Sequence, residues 1–506
     1  MLFIGELRRL DNSPTNRNNA FYRGVDNFMF FGRQKELALL KSLLNKNVAS
    51  LVTVCGRRRI GKSSLIEHFG SSNGKYICIQ GLGPDLKVTQ KDQLENFANS
   101  LSQQTGLKKE HYDNWTEAFI DLSKKTNKGR HIILLDEISW MAKDEPLFPL
   151  LLKNAWDDYF KKNPKLILVL CGSVSTWIED NLLKSKTYLG RISLNINLKE
   201  LLLPEINKFW TKQKYRLSSY EKMMILSITG GVPKYLEELA NKPVADVDLA
   251  RICFDESGFL FNEFENIFSD IFGKKAGTLK KMVRACLFQK LSPVELSKKL
   301  KIDFNSEFSN YLHILEISGF LIRDFYYKSD GSQSKLSHLR VSDNYLRFYL
   351  KYIEPVKDKI KHSAYKVQSL QDLSNIDTLM GFQFENLIMA NRNKVISILG
   401  LNPSKIKSAS AYVQKANKKI KIGCQIDLLI HSSMDIYFLC EIKCKKNIEK
   451  SVINEVENKI KAIKLPRRSV VRPVLIYVGE IYPPHQQEIE NYFHRIIAFD
   501  EMLVED

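Results

Sequence analysis

Two stretches of the sequence carry residue types whose spacing could do chemistry. In the first, Gly56-Arg57-Arg58-Arg59-Ile60-Gly61-Lys62-Ser63 has the spacing G-x-x-x-x-G-K-[ST]. The apolar run Leu51–Cys55 precedes it and the helix-forming run from Ser64 to His68 follows. Glycines let backbone N–H groups approach a phosphate without a Cβ clash, and the N-terminus of the following helix adds partial positive charge. Lys62 can place a point charge on the β- and γ-phosphates, and the Ser63 hydroxyl can ligate Mg²⁺. Further on, the buried-strand pattern Ile132–Leu135 ends in Asp136-Glu137, 74 positions beyond Lys62. Asp136 suits the Mg²⁺ shell, and Glu137 suits the orientation and polarisation of an attacking water. The run Leu166–Cys171 leads into Gly172-Ser173, where a polar strand tip either senses a γ-phosphate or simply turns the chain. Gly190-Arg191 follows; its arginine is either a finger on a neighbouring subunit's nucleotide or a surface cation.

The second stretch lies near the C-terminus. Gln425–Ile430 reads as a strand and Asp435–Cys444 as the next one. Glu441 and Lys443 are two apart and so share one strand face, opposite Cys440, Ile442 and Cys444. Asp427 precedes Glu441 by 14 positions, a separation a hairpin closes. Two carboxylates and a lysine at one place suit Mg²⁺-dependent phosphodiester hydrolysis. Asp427 and Glu441 would ligate the metal, and Lys443 would orient the water or stabilise developing charge. Glu385, in the preceding helical run, is a fourth candidate. The plain alternative is a solvated strand whose acids and lysine form a salt-bridge network. Lys415, Lys418, Lys419 and Lys421 lie before this stretch, and Lys445, Lys446, Arg467 and Arg468 follow it. That distribution fits a nucleic-acid groove.

The elements that must position these residues occupy 506 residues, enough for three or four domains at roughly 150 residues each. Lys+Arg is 76 against Asp+Glu 57, a net charge of +19, which points to an anionic partner such as nucleic acid. The 44% hydrophobic and 26% charged content excludes a disordered or collagen-like chain. No apolar run approaches the roughly 20 residues that span a bilayer, and the start of the chain does not read as a secretory signal. The eight cysteines show no C-x-x-C spacing and fit a reducing cytoplasm better than a zinc site.

Along the chain, residues 1–25 read as an arm. Residues 26–202 alternate strands (Leu51–Cys55, Tyr76–Gln80, Ile132–Asp136, Leu166–Cys171, Ile192–Ile196) with helices, which implies a parallel sheet. Residues 203–277 read as helical. In 278–354, the capping box Ser292-Pro293-Val294-Glu295 opens a helix to Leu300. A second helix follows over Ser306–Ser318, then a hairpin of Phe320–Tyr327 and Leu336–Val341 about the turn Lys328–Ser332. Helix–turn–helix plus wing docks duplex DNA or protein; Lys298, Lys299 and Lys301 could reach phosphates, although the second helix carries few cations. Glu354-Pro355 and the charged run Lys357–Lys361 read as a linker to a last α/β segment, 355–506.

Together, Phe30-Phe31-Gly32-Arg33-Gln34-Lys35-Glu36-Leu37, the triple-arginine loop, Asp136-Glu137, Gly172-Ser173, Gly190-Arg191 and Gly230-Gly231-Val232-Pro233-Lys234-Tyr235-Leu236 resemble the archaeal ATPase family of AAA+/STAND-type P-loop ATPases. The resemblance implies an α/β fold: a P-loop AAA+ parallel sheet with a helical lid, a winged helix and a C-terminal domain. It implies ATP and Mg²⁺ as cofactors, with Phe31, Gly32 and Arg33 near the adenine and Gly231-Val232-Pro233 closing over the nucleotide. The C-terminal D-x(13)-E-x-K pattern resembles the PD-(D/E)xK restriction-endonuclease-like fold, with Ile426 in place of proline and Gln425 where relatives often carry an acid. The expected protein is a cytoplasmic ATPase that controls nucleic-acid binding, with DNA as the leading substrate for cleavage and self-association through Arg191. The alternative is a nucleotide-dependent switch or scaffold whose nuclease fold is inactive.

Overall fold

The computed structural model describes residues 30–83, 87–173, 176–212, 216–239, 246–327, 332–414, 422–433 and 435–505. The N-terminal arm, most of the wing turn and Lys415, Lys418, Lys419 and Lys421 lie outside them. Five strands form the first sheet: β1 (Ser50–Gly56), β2 (Lys75–Gln80), β3 (His131–Asp136), β4 (Ile167–Ser173) and β5 (Ile192–Asn197). All pair in parallel, in the order β2-β3-β4-β1-β5. The expected strands match to within a residue or two. Both faces are buried, so β1, β3 and β4 are continuous apolar runs rather than alternating ones. Val52, Val54, Ile132, Leu134 and Val169 pack on one face with Leu65 and Phe69 of helix α1 (Lys62–Asn73). Leu51, Ile133, Leu135, Leu168 and Leu170 pack on the other with Trp115, Phe119 and Phe148. β4 lies between β1 and β3, with Gly56 opposite Ser173. The loop after β1, the acids closing β3 and the tip of β4 therefore meet at one sheet edge, where ligands of open parallel sheets bind.

The middle of the chain is helical. Helix α2 (Phe259–Phe272) precedes α3 (Pro293–Leu300), which has the expected capping box between Ser292 and Glu295, and α4 (Ser306–Ile317). Strands β6 (Leu321–Tyr327) and β7 (Gln333–Val341) form an antiparallel hairpin, followed by the short helix α5 (Asn344–Phe348). The linker expected at Glu354–Lys361 is instead helical turns packed into the molecule. Pro355 sits in a first turn, where its missing N–H costs nothing. Lys357 is buried, with its ammonium 2.9 Å from Glu265 and 5.1 Å from the centre of the Phe261 ring.

The last segment runs from α6 (Ile376–Ala390) through β8 (Ile406–Gln414), β9 (Cys424–Ser432) and β10 (Ile436–Ile448) to α7 (Ser451–Ala462), β11 (Val470–Ile481) and β12 (Arg495–Ala498). Its sheet has the order β12-β11-β10-β9-β8, antiparallel from β8 to β10 and parallel from β10 to β12. β10 is longer than expected because it bulges between Cys444 and Asn447. There the backbone of Gly479 (φ +114°) comes so close that a Cβ would sit 1.8 Å from the Lys445 carbonyl oxygen. One apolar cluster, from Leu201 to Leu503, unites the helices after β5, the hairpin and one face of this sheet. The segments expected as three units thus share a core, while the first sheet keeps its own two.

Candidate functional site

The loop Gly56–Ser63 is built by a strand that must stop and a helix that must start. Gly56 (φ +155°) passes Leu198 so closely that a Cβ would lie 2.5 Å from its carbonyl oxygen. Gly61 (φ +86°) takes the left-handed turn into α1 and faces Pro233, whose Cγ lies 3.9 Å from the position of a Cβ. Lys62 is buried and donates to the carbonyls of Gly56 (3.1 Å) and Arg57 (3.2 Å), which ties the start of the loop to the first turn of α1. The Ser63 hydroxyl donates to Asp136 Oδ2 at 2.5 Å. A hydroxyl and a carboxylate at that separation, beside a loop of N–H donors, fit a Mg²⁺ ion accompanying a triphosphate.

Glu137 is held in a left-handed conformation (φ 48°, ψ 50°), a strained backbone of the kind that gathers at working sites. Both of its oxygens are bound by Ser173: the hydroxyl donates to Oε1 at 2.7 Å and the N–H to Oε2 at 3.1 Å. Of the residues expected around the nucleotide, Arg33 reaches the loop. Arg33 donates through Nη2 to the Ile60 carbonyl (3.0 Å), Phe31 packs edge-on against Phe209, and Gly32 lies against Glu205. Ile60 is fully buried, and Ser64 is exposed on the first turn of α1.

The arginine side chains of the loop are committed elsewhere. Arg57 is 7% exposed and lies between two carboxylates, Asp343 and Glu200 Oε1 (3.2 Å), with Nη2 donating to the Tyr235 hydroxyl at 3.3 Å. Burial works against its charge, but Asp343 first, then Tyr235 and Glu200, hold it charged above the ordinary arginine range. Arg59 pairs through Nε with the buried Glu263 of α2 at 3.0 Å, and Arg58 is engaged as well. In this arrangement the Arg57 guanidinium is shared between two carboxylates and that of Arg59 is held by one. Arg191 stays apart from the loop, held by Asp157 through Nε (3.1 Å) and Nη2 (2.8 Å). Glu200, Glu263 and Asp343 escaped the sequence reading because long-range pairing leaves no local spacing. Only Asp343 carried a local signal, as an N-cap acid before a helix.

In the C-terminal sheet, β9 and β10 are the expected hairpin neighbours, with Cys440 opposite Leu428. Asp427 is buried and its Oδ2 accepts the Ile442 N–H at 3.2 Å. Burial, then Glu385 of α6 and Glu441, push its carboxyl up to about 7. Glu441 is 1% exposed and lies between two ammonium groups, Lys443 at 2.9 Å from Oε1 and Lys459 of α7 at 2.6 Å from Oε2. Lys443 also pairs with Glu455 at 2.5 Å, and these acids keep it charged despite burial. Glu385 faces Lys290 at 3.6 Å. The four expected residues are thus together, and Lys459 and Glu455, one helical turn apart on α7, join them. As arranged they do not fit a bound divalent ion: both Glu441 oxygens are taken, and among the described residues no three His, Cys, Asp or Glu side chains converge on one point. Lys445, Lys446, Arg467 and Arg468 are exposed nearby in sequence. On α4, His313 Nε2 lies 2.8 Å from Glu179 Oε2, which ties this helix to the segment after β4.

Residues 30–239 match the family described as an ATPase domain predominantly from Archaea, so this part of the chain is an ATPase-type P-loop domain. The uncharacterized protein MJECL04 of Methanocaldococcus jannaschii is 25% identical over 369 residues, covering 71% of this chain and 76% of the relative. The uncharacterized ATP-binding protein MJ0423 of the same organism is 46% identical over 41 residues, 8% of this chain and 70% of the relative. Among solved structures, the Walker-type ATPase PABY2304 of Pyrococcus abyssi has a TM-score of 0.46 at 16% identity, covering 63% of this chain and 96% of that one. The Aeropyrum pernix ORC1 protein, solved in complex with DNA, has a TM-score of 0.33 at 13% identity, covering 67% and 95%. No helix among the described residues is long and apolar enough to cross a membrane.

Proposed function

We propose that the chain hydrolyses ATP with Mg²⁺ and uses its nucleotide state to control nucleic-acid engagement by the C-terminal half. The observation that carries the first part is the Ser63–Asp136 contact of 2.5 Å beside a Glu137 poised by Ser173. Lys62 leaves the loop carbonyls for the β- and γ-phosphates, and the loop N–H groups bind the phosphate oxygens. Ser63 and Asp136 would hold Mg²⁺, which when bound supplies charge neutralisation of the triphosphate. Glu137 orients the attacking water and takes its proton, once the nucleotide has turned it from Ser173. Pro233, beside Gly61, would cover the nucleotide, and Arg33 stands on the Ile60 side of the loop.

For the C-terminal half, we read residues 278–354 as a winged helix and 355–506 as a PD-(D/E)xK-like domain, with DNA the favoured partner. The adjacency of Asp427, Glu441, Lys443 and Glu385 supports a phosphodiester-cleaving site. The Lys459 ammonium on Glu441 favours the second reading, a binding fold that does not cleave. A cleavage assay on duplex and single-stranded DNA and RNA, with and without ATP, separates them. Cleavage lost in Asp427→Ala supports the first; wild type that binds DNA without cutting it supports the second. A steep salt dependence of DNA binding is expected for contacts to phosphates. ATP turnover abolished by Lys62→Ala tests the ATPase reading; turnover that survives the substitution overturns it.

A further inference from the structure

We infer that the buried ion pair between Arg57 and Asp343 is the junction through which a nucleoside triphosphate in the loop acts on α6 and the carboxylate site beside it. This coupling rests on the reading of Gly56–Ser63 as a triphosphate site; it does not need the C-terminal site to cleave anything.

The pair joins two parts of the chain that share no strand or helix. Arg57 is the second residue of the loop, and its guanidinium leaves the loop to meet Asp343 and Glu200. Asp343 is 2% exposed and also caps α5, accepting the Leu346 N–H at 3.0 Å. One turn on, Arg347 is equally buried. It donates to Gln383 Oε1 on α6 at 2.5 Å, to the Val341 carbonyl at 2.7 Å and to the Leu287 carbonyl at 2.9 Å. Gln383 is fully buried and returns its amide N–H groups to the carbonyls of Asn344 (2.7 Å) and Ser227 (2.9 Å). Asn386, on the next turn of α6, donates to Asn344 Oδ1 at 3.1 Å. Glu385 lies between Gln383 and Asn386 in sequence, and it is the first charged neighbour acting on Asp427.

Buried polar groups tied in this way resist piecemeal displacement, because each lost partner leaves a donor or acceptor without water. Residues 341–347 and α6 must therefore shift together or stay together. A triphosphate on the loop brings several negative charges next to Arg57, in competition with Asp343 and Glu200 for one guanidinium. That competition is the differential interaction a ligand needs in order to bias two arrangements. It is reciprocal: whatever weakens Asp343 as a partner of Arg57 strengthens Arg57 as a partner of the phosphates.

The test is hydrogen exchange on the full chain with and without a non-hydrolysable ATP analogue and Mg²⁺. Several-fold altered protection of residues 341–348 and 376–390 is expected in the wild type, and its loss in Arg57→Lys. Nucleotide affinity measured directly should rise by about fivefold or more in Asp343→Asn, within the usual span of coupling between sites. Analogue that binds the wild type while exchange over 376–390 stays unchanged would overturn the coupling and leave the triphosphate site standing. Absence of any Lys62-dependent nucleotide binding would overturn the site itself, and the coupling with it. The wild-type measurement needs no variant, so a misfolded substitution cannot blur the answer.

Discussion

Ser173 holds both carboxylate oxygens of Glu137, one through its hydroxyl at 2.7 Å and one through its backbone N–H at 3.1 Å. A carboxylate that accepts two such bonds is fixed in direction. The arrangement therefore describes a resting site in which Glu137 is aimed at its own strand neighbour rather than at water. Ser173→Ala removes one donor while the N–H remains. Its basal ATP turnover should rise, by about tenfold or more if the lost bond has the usual strength of one to a charged group. Nucleotide affinity should stay near that of the wild type. Turnover that falls instead would show that Ser173 serves the γ-phosphate rather than restraining Glu137. Glu137→Gln should bind ATP normally and hydrolyse it on the order of a hundredfold more slowly.

Lys62 donates to carbonyls of its own loop, so its loss should affect binding more than folding. Lys62→Ala is expected to weaken ATP on the order of a hundredfold, the scale of removing one partner of a desolvated charge pair. Its melting temperature without nucleotide should stay close to that of the wild type, and nucleotide should no longer raise it. Calorimetric titration and thermal melting together check both halves; an unchanged dissociation constant would remove the role assigned to Lys62.

The parts of this molecule that were legible in the sequence are those fixed by local spacing. The five core strands, the loop Gly56–Ser63 and the capping box at Ser292 and Glu295 each follow from a short run of residue types. The adjacency of Asp427 and Glu441 followed from hairpin arithmetic alone. What stayed hidden depends on partners far along the chain. The partners of Arg57 stayed hidden because nothing near it in sequence announces Asp343 or Glu200. Lys357–Lys361 reads as a linker when charge is taken as exposure, whereas Lys357 is buried with its ammonium over the Phe261 ring and beside Glu265. Lys459 belongs to no motif; only the packing of α7 against β9 and β10 brings it to Glu441.

Burial and the neighbouring acids give Asp427 a pH signature. Its carboxyl ordinarily titrates near 3.8 and is pushed up to about 7 in the fold. A raised value means that the neutral form favours folding. That contribution is complete below 3.8 and is lost as the pH rises through about 7. Asp427→Asn keeps the shape without the charge, so its gain in melting temperature over the wild type should grow between about pH 4 and about pH 7 and level off above that. The same series in Glu385→Gln should show a smaller slope, since Glu385 is the foremost charge acting on Asp427. A difference that stays flat with pH would show that Asp427 is ionised throughout.

Glu441 carries two ammonium groups at once, Lys443 on Oε1 and Lys459 on Oε2. A divalent cation and an ammonium cannot share one carboxylate oxygen without repulsion, so Lys459 must swing away before a metal can bind there. The side chain is 22% exposed on an amphipathic helix, which leaves it a path to solvent. Lys459→Gln removes the competing charge and should tighten Mn²⁺ binding to the C-terminal site at least about tenfold. The measurement belongs in a Lys62→Ala, Asp136→Asn background, where the nucleotide site no longer contributes metal. If the domain cleaves DNA, the same substitution should shift its metal requirement to lower concentration. Unchanged Mn²⁺ affinity would mean that Lys459 and Glu441 are a permanent structural pair, and the C-terminal fold would then be read as one that binds without cutting.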